Sequence, residues 1–187
     1  MSRSRVKAAI VLLVVIVIGV SWTTYVHLVR VEAWIWHMQH GTVVTVGNYI
    51  VPVPRNWYVE RYGRTGQLLV RVDTDDPSSP KKLKAHSSLS LSGAPMLTND
   101  QNLNIKMSLD RDLLERQGVK PILERTLPIS GGTVSCAGGY KPGSIGTYDV
   151  EPSAWFCGSV GLEIGILGTD RDMTQIWEII SGIRKKS

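Results

Sequence analysis

The chain has 187 residues, of which 43% are hydrophobic and 20% charged, and its formal net charge is +5. This length allows one ordinary domain with some residues left over. Residues 1–40 carry a net charge of +3, whereas residues 41–187 carry only +2 on seventeen basic and fifteen acidic side chains. A nearly neutral domain with interspersed signs offers no basic face for phosphates, so we predict no nucleic-acid partner.

The first predicted element is residues 6–29, an apolar run with no charged residue from Ala8 to Tyr25. Such a run approaches the ~20 residues that a helix needs to cross a bilayer. Basic residues without acidic ones precede it, which keeps the N-terminus in the cytoplasm. We therefore predict a single-pass signal-anchor in the cytoplasmic membrane, with residues 1–5 as a cytoplasmic tail and residues 42–187 as a periplasmic or extracellular domain.

Charged and amphipathic aromatic side chains flank this run, as they do at membrane interfaces. Residues 30–41 continue it as a juxtamembrane stalk that ends at Gly41. The lipid bilayer is thus the first predicted partner, through residues 6–29, and a membrane or envelope protein is the second. The predicted interface residues are Arg3, Arg5, Lys7, Trp22, Tyr25, Trp34 and Trp36.

Three other interpretations of the apolar run are possible, and the sequence supports each of them less well. A cleaved signal peptide needs a small-x-small cleavage site, and GVSWTTYVHLV contains none. A pilin needs a Gly-Phe-type processing site and an early acidic residue, and the run has neither. The helix could also pair with another membrane protein, although Gly19 and Ser21 offer only a small packing surface.

From Thr42 the hydrophobic period changes to two, which is typical of strands. The segments TVVTV and YIVPV predict a hairpin with a two-residue turn at Gly47 and Asn48. Pro52 confines the second strand to an edge or to its last paired positions. The further predicted strands are WYVER (57–61), LLVRVD (68–73), SSLSLS (87–92), VKPILERTLPI (119–129), GTVSCAG (132–138), SAWFCGS (153–159) and GLEIGILG (161–168).

A mid-domain helix is predicted to end at LLERQG, with Gly118 just beyond it. Three residues could cap its start, namely Asn99, Asp100 and Ser108.

The closing helix begins at Thr169, which with Asp172 resembles a capping box. Its basic end, Arg184 to Lys186, agrees with the helix dipole. One apolar stripe predicts its buried face: Met173, Ile176, Trp177, Ile180 and Ile183. The order of strands, helix, strands, helix predicts an α+β fold with an antiparallel sheet behind the transmembrane helix.

This layout over residues 42–184, with P-x-x-W at Pro54 to Trp57 and the apolar stripe of the last helix, resembles that of PsbP-like domains. The resemblance implies an α+β sandwich that lies outside the cytoplasm and acts as an accessory or binding protein. No cofactor-binding residue of that family can be matched to this sequence, so no cofactor is expected.

The only two cysteines are Cys136 and Cys157. Twenty residues separate them, which is not a C-x-x-C motif, and no histidine pair accompanies them at zinc-site spacing. Because export places them in an oxidising compartment, we predict a disulfide. It would pin the loop KPGSIGTYDVEPS and present Tyr148 to a partner.

Metal binding has only fragmentary support. His37 and His40 are three residues apart on the predicted stalk, and the only further hints of a ligand are Glu32 and His86. A convincing zinc site needs a defined third ligand, so we predict no metal.

A calcium loop is equally incomplete. The segment DTDDP, which holds Asp73, Asp75 and Asp76, lacks the glycine and closing glutamate of such a loop. The main hypothesis is therefore a non-catalytic binding or accessory protein of the cell envelope. The alternative is a membrane-anchored hydrolase or metal-dependent enzyme that uses His86 or these aspartates.

Overall fold

The structure is a computed structural model that describes residues 13–14, 16–21, 28–62, 66–71, 87–140 and 153–186. Residues 13–14 and 16–21 are helical. The helices that follow are α1 (Leu28–His40), α2 (Asp100–Arg116) and α3 (Asp170–Ser181). The strands are β1 (Val43–Val46), β2 (Tyr49–Pro52), β3 (Trp57–Tyr62), β4 (Gly66–Arg71), β5 (Ser88–Ala94), β6 (Leu123–Ile129), β7 (Gly132–Tyr140), β8 (Ser153–Ser159), β9 (Gly161–Gly168) and β10 (Arg184–Lys185).

Seven of these strands form one antiparallel sheet in the order β3-β4-β5-β9-β8-β7-β6. Its inner face carries apolar residues at every second position, as on β5, where Leu89 and Leu91 are buried. The stripe of α3 packs on this face, with Ile176 and Ile180 fully buried. The predicted stripe is thus buried at Met173, Ile176 and Ile180. Trp177 is half-buried, and Ile183 is buried but lies beyond the end of α3.

A second sheet of three strands, in the order β1-β2-β10, completes the core. The hairpin turn lies at Gly47 and Asn48, as predicted, and Pro52 is the last residue of β2. The predicted end of the last helix is wrong, because α3 ends at Ser181 and the basic residues that follow form β10. Backbone pairing with β2 places Lys185 opposite Tyr49.

The outer face of the seven-stranded sheet is covered at its two ends. Helix α1 packs near β3 and β4, where Ala33 contacts Tyr58 and Val70. Helix α2 packs near β7 and β8, where Met107 and Leu114 form the core of a second cluster. The segment expected to be a stalk is therefore largely a helix packed on the domain.

The ends of α2 decide between the predicted caps. Asn99 caps the helix, because its side chain accepts a 2.9 Å hydrogen bond from the Asn102 N–H. At the other end, Gly118 has φ +83°, and the Val119 N–H donates to the Leu114 carbonyl, which is a Schellman motif. The predicted role of Gly118 is confirmed.

Loss of the Asn99 cap should have a modest and local effect. We expect Asn99→Ala to lower the free energy of unfolding by about 1 kcal/mol, because an N–H of the first turn loses its acceptor. Urea denaturation followed by circular dichroism would measure it. Asp100→Ala, at the exposed first helical residue, serves as the control and should change stability less.

The predicted fold class is wrong. The structure is mostly antiparallel sheet, with strand accounting for 45% of it and few helices. Among the described residues, no helix is both long and apolar enough to span a bilayer. The prediction of an α+β domain behind an N-terminal transmembrane helix gave helices too much weight. Ten strands in two sheets form most of the described structure, and each helix of the domain packs on strands.

Candidate functional site

The two cysteines lie directly opposite each other on β7 and β8 and form a disulfide. Their Cα atoms are 4.0 Å apart. Both side chains point into the core, where Cys136 is 2% and Cys157 0% exposed. Such burial keeps the sulfur atoms away from solvent and from any external thiol, which suits a structural bond rather than a redox centre. The predicted disulfide is confirmed.

A buried ion pair ties α3 to the seven-stranded sheet. The Arg71 guanidinium of β4 pairs with the Asp172 carboxylate in the first turn of α3. The Ser87 hydroxyl donates to the same carboxylate at 2.5 Å and accepts from the Thr169 N–H at 3.2 Å. The predicted capping box does not form, because Thr169 makes no side-chain cap and the Asp172 carboxylate is engaged with Ser87 and Arg71 instead.

This arrangement does not resemble a nucleophile with its base. A catalytic serine needs a neighbouring group that can take its proton. The Asp172 carboxylate is already paired with a guanidinium, and its residue is only 7% exposed. The cluster of Arg71, Ser87 and Asp172 therefore acts as a polar clamp on the start of α3.

His37 joins the end of α1 to the turn before β3. Its Nδ1 lies 2.7 Å from the Gly41 carbonyl oxygen, and its Nε2 lies 3.0 Å and 2.8 Å from those of Pro54 and Trp57. Carbonyl oxygens only accept, so either ring N–H has an acceptor in place. The ring thus fastens the helix to the P-x-x-W segment.

His40 does not join His37 in a metal site. Its ring stacks on Trp36 at 5.1 Å, and its Nδ1 lies 3.1 Å from the Trp36 carbonyl oxygen. The ring of His37 meets the same indole edge-on, with the ring centroids 5.0 Å apart. In the part of the chain that the structure describes, no three His, Cys, Asp or Glu side chains are grouped to hold a metal ion.

Removing the His37 ring should loosen α1. We expect His37→Ala to lower the free energy of unfolding by about 1–2 kcal/mol, because carbonyl oxygens on both sides of the ring lose a donor or a close polar neighbour. Faster amide hydrogen exchange confined to α1 would locate the loss. His40→Ala, which removes an exposed ring, is the control and should leave that exchange nearly unchanged.

On its inner side α1 also contacts a polar pair. The Tyr58 hydroxyl donates to the Glu60 carboxylate at 3.0 Å. Burial raises the pKa of Tyr58 above its ordinary value, and the negative charges of Glu60 and Glu32 raise it further. The phenol is therefore neutral at any physiological pH and acts as a hydrogen-bond donor.

The opposite side of α1 is apolar and open. Trp34 is 63%, Ile35 42% and Met38 68% exposed; we name these three side chains the outer face of α1. Trp36, by contrast, packs partly against the sheet. The sequence interpretation placed both tryptophans at a membrane interface and did not identify Ile35 and Met38, although a 3.6-residue period predicts their position.

Several predicted functional residues lie outside the described ones. They are Arg3, Arg5, Lys7, Trp22, Tyr25, Asp73, Asp75, Asp76, His86 and Tyr148. The predictions made for them stay predictions.

Comparisons with known proteins do not identify a family. No protein-family model matches the chain, and none of the curated proteins matches it. The resemblance to PsbP-like domains stays a prediction.

Proposed function

We propose that this chain is a non-catalytic binding or accessory protein of the cell envelope, whose domain works in an oxidising compartment. The buried disulfide between β7 and β8 is the observation that carries the proposal. Disulfides persist outside the cytoplasm and are rare inside it, where thiols are kept reduced. A structural bond between fully buried sulfur atoms fits a protein that spends its working life under such conditions.

Binding rather than catalysis is supported by how the described charged groups are used. Among the described residues, three charged clusters link secondary-structure elements to one another. They are Arg71 with Asp172, Lys106 with Asp110 and Glu163, and Arg111 with Glu124. The outer face of α1 is an exposed apolar surface, and such surfaces are typical of binding sites.

The compartment can be tested with a reporter fused after the last residue. Alkaline phosphatase folds only where its own disulfides form, so we expect an active fusion in intact cells. The same reporter on a cytoplasmic protein gives the background. An intact fusion protein with background activity would rule out the proposed compartment.

The absence of catalysis can be tested on the residues of the enzyme alternative. The variant carries four substitutions, His86→Ala, Asp73→Ala, Asp75→Ala and Asp76→Ala. After gentle solubilisation, it should migrate in native electrophoresis in the same complex with its partner as the unchanged chain. It should also support the same growth as the unchanged chain in cells that depend on it. Loss of growth while the complex persists would point to chemistry and contradict the proposal.

A further inference from the structure

Helix α1 is apolar on two opposite sides, and among the described residues only one of these sides packs against the domain. On the inner side, Ala33 is 3% exposed and lies in a cluster with Tyr58 and Val70. Trp36 packs against the same cluster and against the main core. A helix of this kind in a lone domain needs one apolar side only.

The outer face of α1 forms a continuous strip. At 100° per residue, Trp34, Ile35 and Met38 fall within an arc of about 100° that points away from Ala33. Their exposed fractions of 63%, 42% and 68% leave most of three large side chains in contact with solvent. Contiguous exposed apolar surface of this kind marks an interaction site.

The charges around α1 indicate which partner fits this strip. The basic side chain of Arg30 is exposed and lies at the edge of this strip. The only acidic residue of the helix, Glu32, is half-buried on the side of Tyr58 and Glu60. Among the described side chains of α1, no acidic one points outward, so the helix itself does not repel an anionic surface.

The residues that precede α1 favour lipid over a protein partner. Leu13, Val14 and residues 16–21 are helical, uncharged and exposed wherever described, with large apolar side chains 48–63% exposed. A protein interface buries one side of a helix, whereas lipid accommodates apolar side chains on several sides. An exposed tryptophan is also typical of the headgroup region, where its ring and N–H are both accommodated.

We propose that the outer face of α1 lies on the surface of a lipid bilayer, with the helix in the plane of the headgroups. This inference rests on the proposed function and names its partner at that site. It places Trp34, Ile35 and Met38 in the interfacial layer and leaves the seven-stranded sheet on the far side of α1.

Photoactivatable lipid can test the contact directly. The full chain is bound to vesicles of phosphatidylcholine and phosphatidylglycerol that contain a diazirine-bearing lipid, illuminated and mapped by mass spectrometry. We expect several-fold more lipid adducts on the outer face of α1 than on Leu109. Leu109 is the matched reference site, because it is 63% exposed on α2, a helix at the other end of the sheet.

Two matched double substitutions distinguish specific labelling of the outer face of α1 from nonspecific labelling of any exposed apolar side chain. Trp34→Gln with Met38→Gln should remove most adducts from α1, whereas Leu109→Gln with Leu113→Gln should leave them unchanged. An intact disulfide and an unchanged midpoint of urea denaturation show that each variant is folded.

Two results would overturn the proposal: equal labelling of α1 and α2, or an unlabelled α1. Either result would mean that the outer face of α1 does not contact lipid in preference to other exposed apolar side chains. Neither result depends on the reporter-fusion experiment, which concerns the compartment alone, so failure of this inference and failure of the proposed function can be distinguished.

Discussion

Asp172→Ala should lower the free energy of unfolding by about 3 kcal/mol, because it leaves the Arg71 guanidinium largely buried without its carboxylate. The substitution also removes the acceptor of the Ser87 hydroxyl, which lies 2.5 Å from the carboxylate. The expected loss is large because the Asp172 side chain is 9% and the Arg71 side chain 20% exposed, so water cannot readily replace the missing partner. Urea denaturation would measure it.

A double substitution tests the physical reason. Arg71→Met with Asp172→Leu removes both charges together, so it should cost less than Asp172→Ala alone. Glu178→Ala, at an exposed position of α3, is the matched control and should stay within about 0.5 kcal/mol. If Asp172→Ala is no more harmful than this control, the clamp has no role in stability.

Removal of the disulfide should have an effect of similar size. We expect Cys136→Ala with Cys157→Ala to lower the free energy of unfolding by about 3 kcal/mol, because the unfolded chain regains the freedom of a loop whose ends are 21 residues apart. The measurement is chemical denaturation without reductant.

A reductant distinguishes the stability contributed by the covalent bond from the stability contributed by the packing of the cysteine side chains. Dithiothreitol added under denaturing conditions should destabilise the unchanged chain by a similar amount and leave the double alanine variant unaffected. Equal stability of the oxidised and reduced chain would show that the bond does not constrain the unfolded state.

Local patterns in the sequence predicted much of the fold. Alternation in SSLSLS and in most of GLEIGILG identifies β5 and β9, since one side of each strand is buried. The spacing of Ile176 and Ile180 identifies the buried side of α3. These features depend on near neighbours along the chain, which a sequence displays directly.

Features that depend on distant residues could not be predicted in this way. Strand β10 consists of Arg184 and Lys185, whose pairing with β2 leaves no hydrophobic pattern. The role of Asp172 was assigned to its own helix, yet its partners Arg71 and Ser87 are 101 and 85 residues away along the chain. The wrong fold class has another cause: the sequence interpretation predicted β1 to β9 but weighted the helices and the apolar N-terminal run too heavily.

The candidate site shows the same division. The disulfide was predictable, because both cysteines lie in alternating segments that become adjacent strands. The outer face of α1 was predictable only in part, since helical spacing groups Trp34 with Met38 but does not show which side the sheet covers. His37 was considered as a metal ligand, and only the fold shows that carbonyl oxygens of Gly41, Pro54 and Trp57 surround its ring.

The redox state of Cys136 and Cys157 in living cells most directly tests whether the domain carries a structural disulfide and lies in an oxidising compartment. Intact cells are quenched with acid, the chain is denatured, and free thiols are alkylated with a mass tag. We expect no tag on the native chain and two tags after reduction. Two tags without reduction would contradict both the structural bond and the proposed compartment.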